Sequence, residues 1–483
     1  MNLKRSSSRS ISKPSFSRKI SRLGTRMRDP EWRRYAGLIF AGKFAAIALL
    51  LVGFAFFNPS LLGLSALAAD PVLKGNDIVN PINTVWTLVA AFLVFGMQVG
   101  FTMLEAGFCR SRETVNVLME CIVDTCLCGI LFYAWGFAFM FSHGNGFIGL
   151  NWFFLQGTPV TYEGTGIAFL ALWLFQFAFA DTCSTITSGA MIGRTGWIGD
   201  LLYSFVVSGF IYPIIGHWTW GPDGFLATMG SKDTFLPWVG TGFHDFAGST
   251  VVHSIGGFIA LAGAIVLGPR IGRRFKRDGG GPMLPHDLTI AASGALLLWF
   301  GWYGFNPGST LSAMDFVGIG RVAANTTLAA CGGGLAAMLC SYYMSKKWDV
   351  SFTINGLLAG LVAITCPCYW VSPLGSFILG SVAGVFAVAG AELLEYLRID
   401  DPIGAVPVHG DLYWDVLGIH REVLVGLREV ARTGRLHGIG IDSWAVDYGL
   451  LDGDGRLLGN AVSHRDRRTA GIPARVYATV PAP

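Results

Sequence analysis

The chain has 483 residues, of which 52% are hydrophobic and only 14% charged, with a formal net charge of +4. Its mean hydropathy of +0.51 excludes an ordinary water-soluble globular protein, and the small basic excess, confined to loops and the N-terminus, excludes a nucleic-acid-binding surface. The nine cysteines show neither a zinc spacing nor a disulfide framework; the closest pairs, Cys126 with Cys128 and Cys366 with Cys368, fall in or at the ends of apolar stretches, where cysteine packs as a small side chain.

Residues 1–36 carry eleven Lys or Arg and eight Ser against Asp29 and Glu31. An apolar run follows from Ala45 to Phe57, then Ala66-Leu-Ala-Ala-Asp70. Residues 37–69 therefore read as a secretory signal peptide cleaved near Ala68 or Ala69, or as a retained extra helix; the first 30 residues also suit an organelle transit segment or a basic disordered tail. Nine apolar stretches come next, near 84–108, 115–142, 166–190, 197–220, 244–267, 287–306, 316–343, 353–371 and 374–397, each of a length that crosses the hydrocarbon layer. Only helices satisfy their own backbone in lipid at this length, so the expected fold class is an all-α polytopic membrane protein. Residues 411–483 differ: nine Arg, nine Asp or Glu, no Lys, no Phe, and no stretch apolar enough to span. The one helix-like run there is 416–432, a weakly amphipathic surface helix.

Loop charges orient the core. Arg110, Arg112, Arg194, the cluster Arg270, Arg273, Arg274, Lys276 and Arg277, then Lys346, Lys347 and Arg398 all follow odd-numbered spans, whereas the even loops hold only Lys232. Basic loops stay in the cytoplasm, which puts the mature N-terminus outside a cell membrane.

One pattern is written twice. Asp245, Gly248, Val252 and His253 recur as Asp401, Gly404, Val408 and His409 at the same spacing. The first copy opens the fifth span; the second follows the ninth, where a tenth would begin. Two five-helix halves then have opposite orientations, an inverted five-plus-five repeat whose histidines meet at the repeat interface. The glycines permit close backbone approach, and Pro402 and Pro407 disturb a regular helix. Asp245 is expected to cap the fifth helix and to favour a nearby cation, while Glu105 and Asp124 read as buried polar partners between helices.

These residues resemble the ammonium transporter (Amt/Rh) family, Amt branch, over about residues 80–410. The resemblance rests on Met97-Gln-Val-Gly-Phe-Thr-Met-Leu-Glu-Ala-Gly-Phe108, the Asp245–His253 signature, Trp302-Tyr-Gly-Phe-Asn-Pro-Gly-Ser309 and Gly356-Leu-Leu-Ala-Gly-Leu-Val-Ala-Ile-Thr365. It implies a homotrimer of eleven-helix protomers, each with a narrow hydrophobic pore for ammonium and no cofactor or metal. It further implies an outer recruitment site of Phe179, Trp220 and Ser309, a gate of Phe179 and Phe305, and lumen histidines His253 and His409. Asp245, Phe175 and Gln176 support the wall. A nitrogen-regulatory protein is a candidate partner on the cytoplasmic face.

After Gly410 the chain departs from the family, because a Gly-rich tenth span and an eleventh should follow. Residues 411–483 are then either the product of a reading-frame shift that truncates the second half or a real regulatory tail. Three functions stay open: net ammonium transport, an ammonium sensor built on an Amt core, and an inactive truncated subunit. No nucleophile–base pair or metal cluster stands outside the pore pattern, so an enzyme is not expected.

Overall fold

The computed structural model describes residues 78–229 and 243–410 and the residue pairs 447–448 and 462–463. The basic segment 1–36, the signal-like segment 37–69 and the helix-like run 416–432 lie outside the described residues, as does nearly all of the tail.

Each of the nine expected spans coincides with a helix: α1 Val79–Phe108, α2 Thr114–Phe141, α3 Phe169–Gly189, α4 Trp197–Trp220, α5 Ser249–Leu267, α6 Leu288–Thr310, α7 Phe316–Ser345, α8 Val350–Thr365 and α9 Pro373–Leu397. Among the described residues, eight of these are long and apolar enough to cross a membrane; α8, at 16 residues, is shorter. A five-residue α10, Ala405–His409, follows. Two-residue antiparallel strands pair β1 Gly144–Asn145 with β2 Ile148–Gly149, and β3 Asp447–Tyr448 with β4 Val462–Ser463.

Two boundaries fall five or more residues short of the apolar pattern. The fifth helix begins at Ser249 rather than near 244, because Asp245–Gly248 form an irregular turn. The eighth ends at Thr365 rather than near 371, since Pro367 has no N–H to continue the ladder. The freed end is not idle. Ser249 Oγ donates to the Val362 carbonyl at 2.6 Å and accepts the Cys366 N–H at 2.7 Å, which splices the end of α8 to the start of α5.

Backbone proximity holds the helices together, as expected where lipid is as apolar as any side chain and close packing must supply the attraction. α1 runs along α6, and α7 packs on both α8 and α9. At the first seam a Cβ on Gly294 would lie 2.5 Å from the Leu104 nitrogen and 2.6 Å from the Gly100 carbonyl oxygen. At the second, a Cβ on Gly332 would lie 2.6 Å from the Phe377 carbonyl oxygen. α2 and α4 each widen into one π turn, at Phe132–Gly136 and Val207–Ile211, and Trp135 of the first donates to the Gly209 carbonyl of the second at 2.9 Å.

The basic loop between α5 and α6 is tied down by acids at the end of α9. Asp400 is buried and accepts from Arg270 Nε at 2.8 Å, Arg270 Nη2 at 3.0 Å and the Arg270 N–H at 2.9 Å. Arg273 bonds both Asp400 and Glu395, and Lys276 pairs with Glu392 at 2.5 Å. Burial pushes the Asp400 carboxyl up, but the hydrogen bonds and charge of Arg270, with Arg194 behind it, prevail and hold it below the usual carboxylate range.

Two outcomes follow. Gly294→Val should lower stability by about 1–3 kcal/mol through overpacking of the α1–α6 seam, read as a lower thermal midpoint of the detergent-solubilised chain. Asp400→Asn should cost about 3–5 kcal/mol at neutral pH, since it leaves buried guanidinium groups unpaired. A carboxyl held low in the folded state stabilises fully above its unfolded value of about 3.9, and that contribution is lost as pH falls through the folded value. The midpoints of variant and parent should therefore converge in acid; an equal gap at every pH would contradict this account.

Candidate functional site

The two copies of the Asp–Gly–His pattern fold into the same local turn. In the first, Asp245 accepts the N–H groups of Gly248 (2.8 Å), Thr250 (2.8 Å) and Val251 (2.9 Å). In the second, Asp401 accepts those of Gly404 (3.1 Å), Ala405 (3.2 Å) and Val406 (2.8 Å). The orphan donors of a helix start are satisfied by a carboxylate, where the dipole also favours negative charge. Both glycines have positive φ, +111° at Gly248 and +82° at Gly404, so they make a left-handed turn as well as the close approach expected from sequence: a Cβ on Gly404 would lie 2.3 Å from Asn355 Nδ2. Pro407 lies inside the first turn of α10, where its missing N–H leaves no helical bond unmade.

Each turn delivers its histidine to the same buried place. His253 and His409 are 0% and 6% exposed. Their Nδ1 atoms are 3.1 Å apart and their rings stack with centroids at 5.1 Å. His253 also stacks on Trp302 (5.2 Å) and Phe305 (5.3 Å), and its Nε2 has no hydrogen-bond partner among the described residues.

Next along the same line is a pair of fully buried rings, Phe179 and Phe305, stacked with centroids 4.0 Å apart. They leave no opening between them. Beyond lies a cavity of about 390 Å³, on whose wall Phe175, Gln176, Phe179, Trp220, Asp245 and Ser309 all appear. Phe175 and Phe179, one helical turn apart, have ring centroids 4.7 Å apart, and Trp220 meets Phe179 edge-on at 6.1 Å. The Trp220 indole donates to the Asp245 carbonyl at 2.7 Å, which fixes its face. Ser309 Oγ donates to the Phe305 carbonyl at 2.8 Å, so its lone pairs remain free to accept. Gln176 Oε1 is buried with no donor within reach among the described residues.

All the residues expected from sequence are thus brought to one track. Glu105 and Asp124 stand off it, bonded to Ser188 and Ser184 of α3. Sequence reasoning assigned no part to Trp302, which seats His253 and donates to Thr365 Oγ1 at 2.9 Å. Its position one turn before Phe305 was the available signal. It also missed His244 and Trp370, which line the outer cavity with ring centroids 6.0 Å apart. Trp370 lies in the non-helical end of the expected eighth span, so periodicity could not place it.

Comparison with known proteins bears on the whole arrangement. The sequence model of the Ammonium Transporter Family matches residues 85–418. An Archaeoglobus fulgidus ammonium transporter, Amt2, is 44% identical over 368 residues, covering 75% of this chain and 74% of its own. The solved structure of a sensor Amt protein superposes with a TM-score of 0.63 at 38% identity, over 69% of this chain and 80% of that one. The crystal structure of Saccharomyces cerevisiae Mep2 gives 0.62 at 28% identity, over 69% and 74%.

Proposed function

The chain belongs to the ammonium transporter family and is a multi-pass membrane protein that transports ammonium, and from that premise we propose its route through one protomer. Ammonium is a compact cation with four N–H donors and no acceptor. The faces of Phe179 and Trp220 attract it, worth about 2 kcal/mol when desolvated. Ser309 Oγ and the unpartnered Gln176 Oε1 accept its N–H bonds. These directional acceptors separate ammonium from potassium, which has no N–H to give.

Phe179 and Phe305 form the gate. Passage requires the rings to part, and an apolar slot returns far less than the cost of stripping water from an ion. Ammonia crosses as the neutral molecule, and the proton passes separately through His253 and His409, whose shared hydrogen bond fixes complementary tautomers. Phe175 backs the aromatic wall, and Asp245 holds Trp220 and the start of α5 in place. What supports this reading most is the unbroken run of ring contacts from Trp220 through Phe179, Phe305 and His253 to His409.

In the same reading the protomers assemble as a homotrimer in the cell membrane, mature N-terminus outside. The two halves form a five-plus-five inverted repeat, and a nitrogen-regulatory protein docks on the cytoplasmic face. A second reading, ammonium sensing through the tail, is favoured by the 38% identity to a sensor Amt protein. It requires ammonium binding without current.

The deciding measurement is the current evoked by an ammonium jump on proteoliposomes holding the full chain. His253→Ala should lower it about a hundredfold or more, the range of a lost proton-transfer group, and an unchanged current removes the histidines from the mechanism. Trp220→Leu should raise the half-saturating ammonium concentration roughly thirtyfold, equivalent to about 2 kcal/mol of lost cation–π attraction. If the parent chain gives no current and a family-type end in place of residues 411–483 restores it, the core is a transporter and this C-terminus is a lesion.

A further inference from the structure

Helices α1 to α4 contain five carboxyl side chains and not one Lys or Arg. All five are buried: Glu105 (1% exposed), Glu120 (5%), Asp124 (4%), Asp181 (0%) and Asp200 (2%). None touches the aromatic cavity or the ring pair described above. Five unpaired negative charges inside a membrane bundle are not tolerable, so each must be neutralised by a base, a metal ion or a proton. The helices supply no Lys or Arg, and their one histidine, His217, has its ring nitrogens on the Met140 and Asn145 carbonyls. Among the described residues no three His, Cys, Asp or Glu side chains converge to hold a metal ion.

Hydrogen-bond arithmetic points to the proton. Ser188 Oγ stands 2.8 Å from Glu105 Oε1 and 2.7 Å from the Thr185 carbonyl oxygen. A hydroxyl has one proton and a carbonyl can only accept. Two full hydrogen bonds form when Ser188 donates to Thr185 and a Glu105 carboxyl O–H donates to Ser188; with an ionised Glu105 one proton is divided between two acceptors. Asp181 makes the same point differently: neither of its oxygens makes a well-formed hydrogen bond among the described residues, the Thr125 hydroxyl of α2 being only within loose reach, although the side chain is wholly buried. It shares one face of α3 with Ser184, Thr185 and Ser188, the face that meets Asp124 and Glu105, and it lies within electrostatic reach of Asp124.

The cluster also has an opening toward the pore. Glu105 and Thr185 line a cavity of about 20 Å³ together with His409, room for a single water molecule. Facing Glu105 are Glu120, Cys121 and Asp124 from α2, Asp200 from α4 and, across this cavity, His409 from α10. From α6, the long neighbour of α1, the one titratable side chain is Tyr303, whose hydroxyl bonds Thr327 instead.

We propose that the interior of α1–α4 is a second, proton-binding site of the protomer, in which Glu105 and Asp181 hold protons and Glu105 exchanges its proton with His409 through the small cavity. In that exchange the Glu105 carboxyl gives its proton to a water in the cavity while that water passes one to the neutral histidine pair, and the reverse transfer restores the acid, so charge moves and no atom is lost. The exchange rests on the reading of the histidines as a proton-accepting pair; the protons on Glu105 and Asp181 do not.

Infrared spectra of the purified full chain at neutral pH test it, with protons as the only ligand. The absorption of protonated carboxyl C=O groups should lose one component in Glu105→Gln and a different one in Asp181→Asn, each component shifting down in deuterium oxide. Loss from the ionised-carboxylate bands instead, in both variants, overturns the proposal. Should either variant fail to fold, Glu105→Asp or Asp181→Glu must move the matching component without deleting it, and an unmoved spectrum counts against the assignment. The exchange is read separately: ammonium should perturb the Glu105 component in the parent chain and not in His253→Ala. Protonated components without any ammonium current would defeat the pore reading and leave the proton site standing. A normal current without those components would defeat the proton site alone.

Discussion

The structure depends on one interaction made twice: a carboxylate gathering the backbone N–H groups at the start of a helix that begins deep in the protein. A helix start in water is satisfied by solvent; here it must be satisfied by the chain. Asp245 and Asp401 each take three N–H groups, and the positive φ of the following glycine turns the chain so that the helix can point inward. Without that turn neither His253 nor His409 could reach the other at 3.1 Å. The acid is a fixture of the backbone before it is anything to a cation.

The same need explains why polar groups in this bundle are so seldom in the place where charge alone would put them. Trp220 and Trp302 present ring faces to the track while their indole N–H groups bond the Asp245 carbonyl and Thr365. Ser249 and Ser309 bond backbone carbonyls. Arg270 and Arg273 of the basic loop turn back onto Asp400 and Glu395 rather than outward. Where a buried polar atom lacks a well-formed partner beside the track or inside α1–α4, as at Gln176 and at Asp181, the missing bond carries information.

Much of this was legible in the sequence. Nine apolar stretches gave nine helices because lipid leaves a long apolar segment no other regular structure, and the repeated Asp–Gly–His spacing marked both histidines before any contact was known. Helix ends were less legible. Hydropathy continued through Asp245–Gly248 and through Cys366–Trp370, but a turn carboxylate and Pro367 decide those ends, and both act through hydrogen bonds that an apolarity count does not register. The crowding at Gly248 and Gly404 is legible from residue type, whereas their positive φ is not. Trp302 has no role legible from sequence, since only its stacking on His253 distinguishes it from the other tryptophans. The pairing of Ser188 with both Glu105 and Thr185 could not be inferred from spacing at all, because it depends on how far α3 is rotated against α1.

The Ser249 splice between α5 and α8 carries one more consequence. Its hydroxyl donates to Val362 and accepts from Cys366, so the two bonds share an oxygen and form or break as one latch. The Cys366 amide, though it follows the helix end, is therefore shielded like an interior amide, and its exchange with solvent deuterons keeps time with the helix that carries His253 rather than with the loop around it. A slow amide in an irregular stretch thus becomes a clock for the opening of the α5–α8 junction.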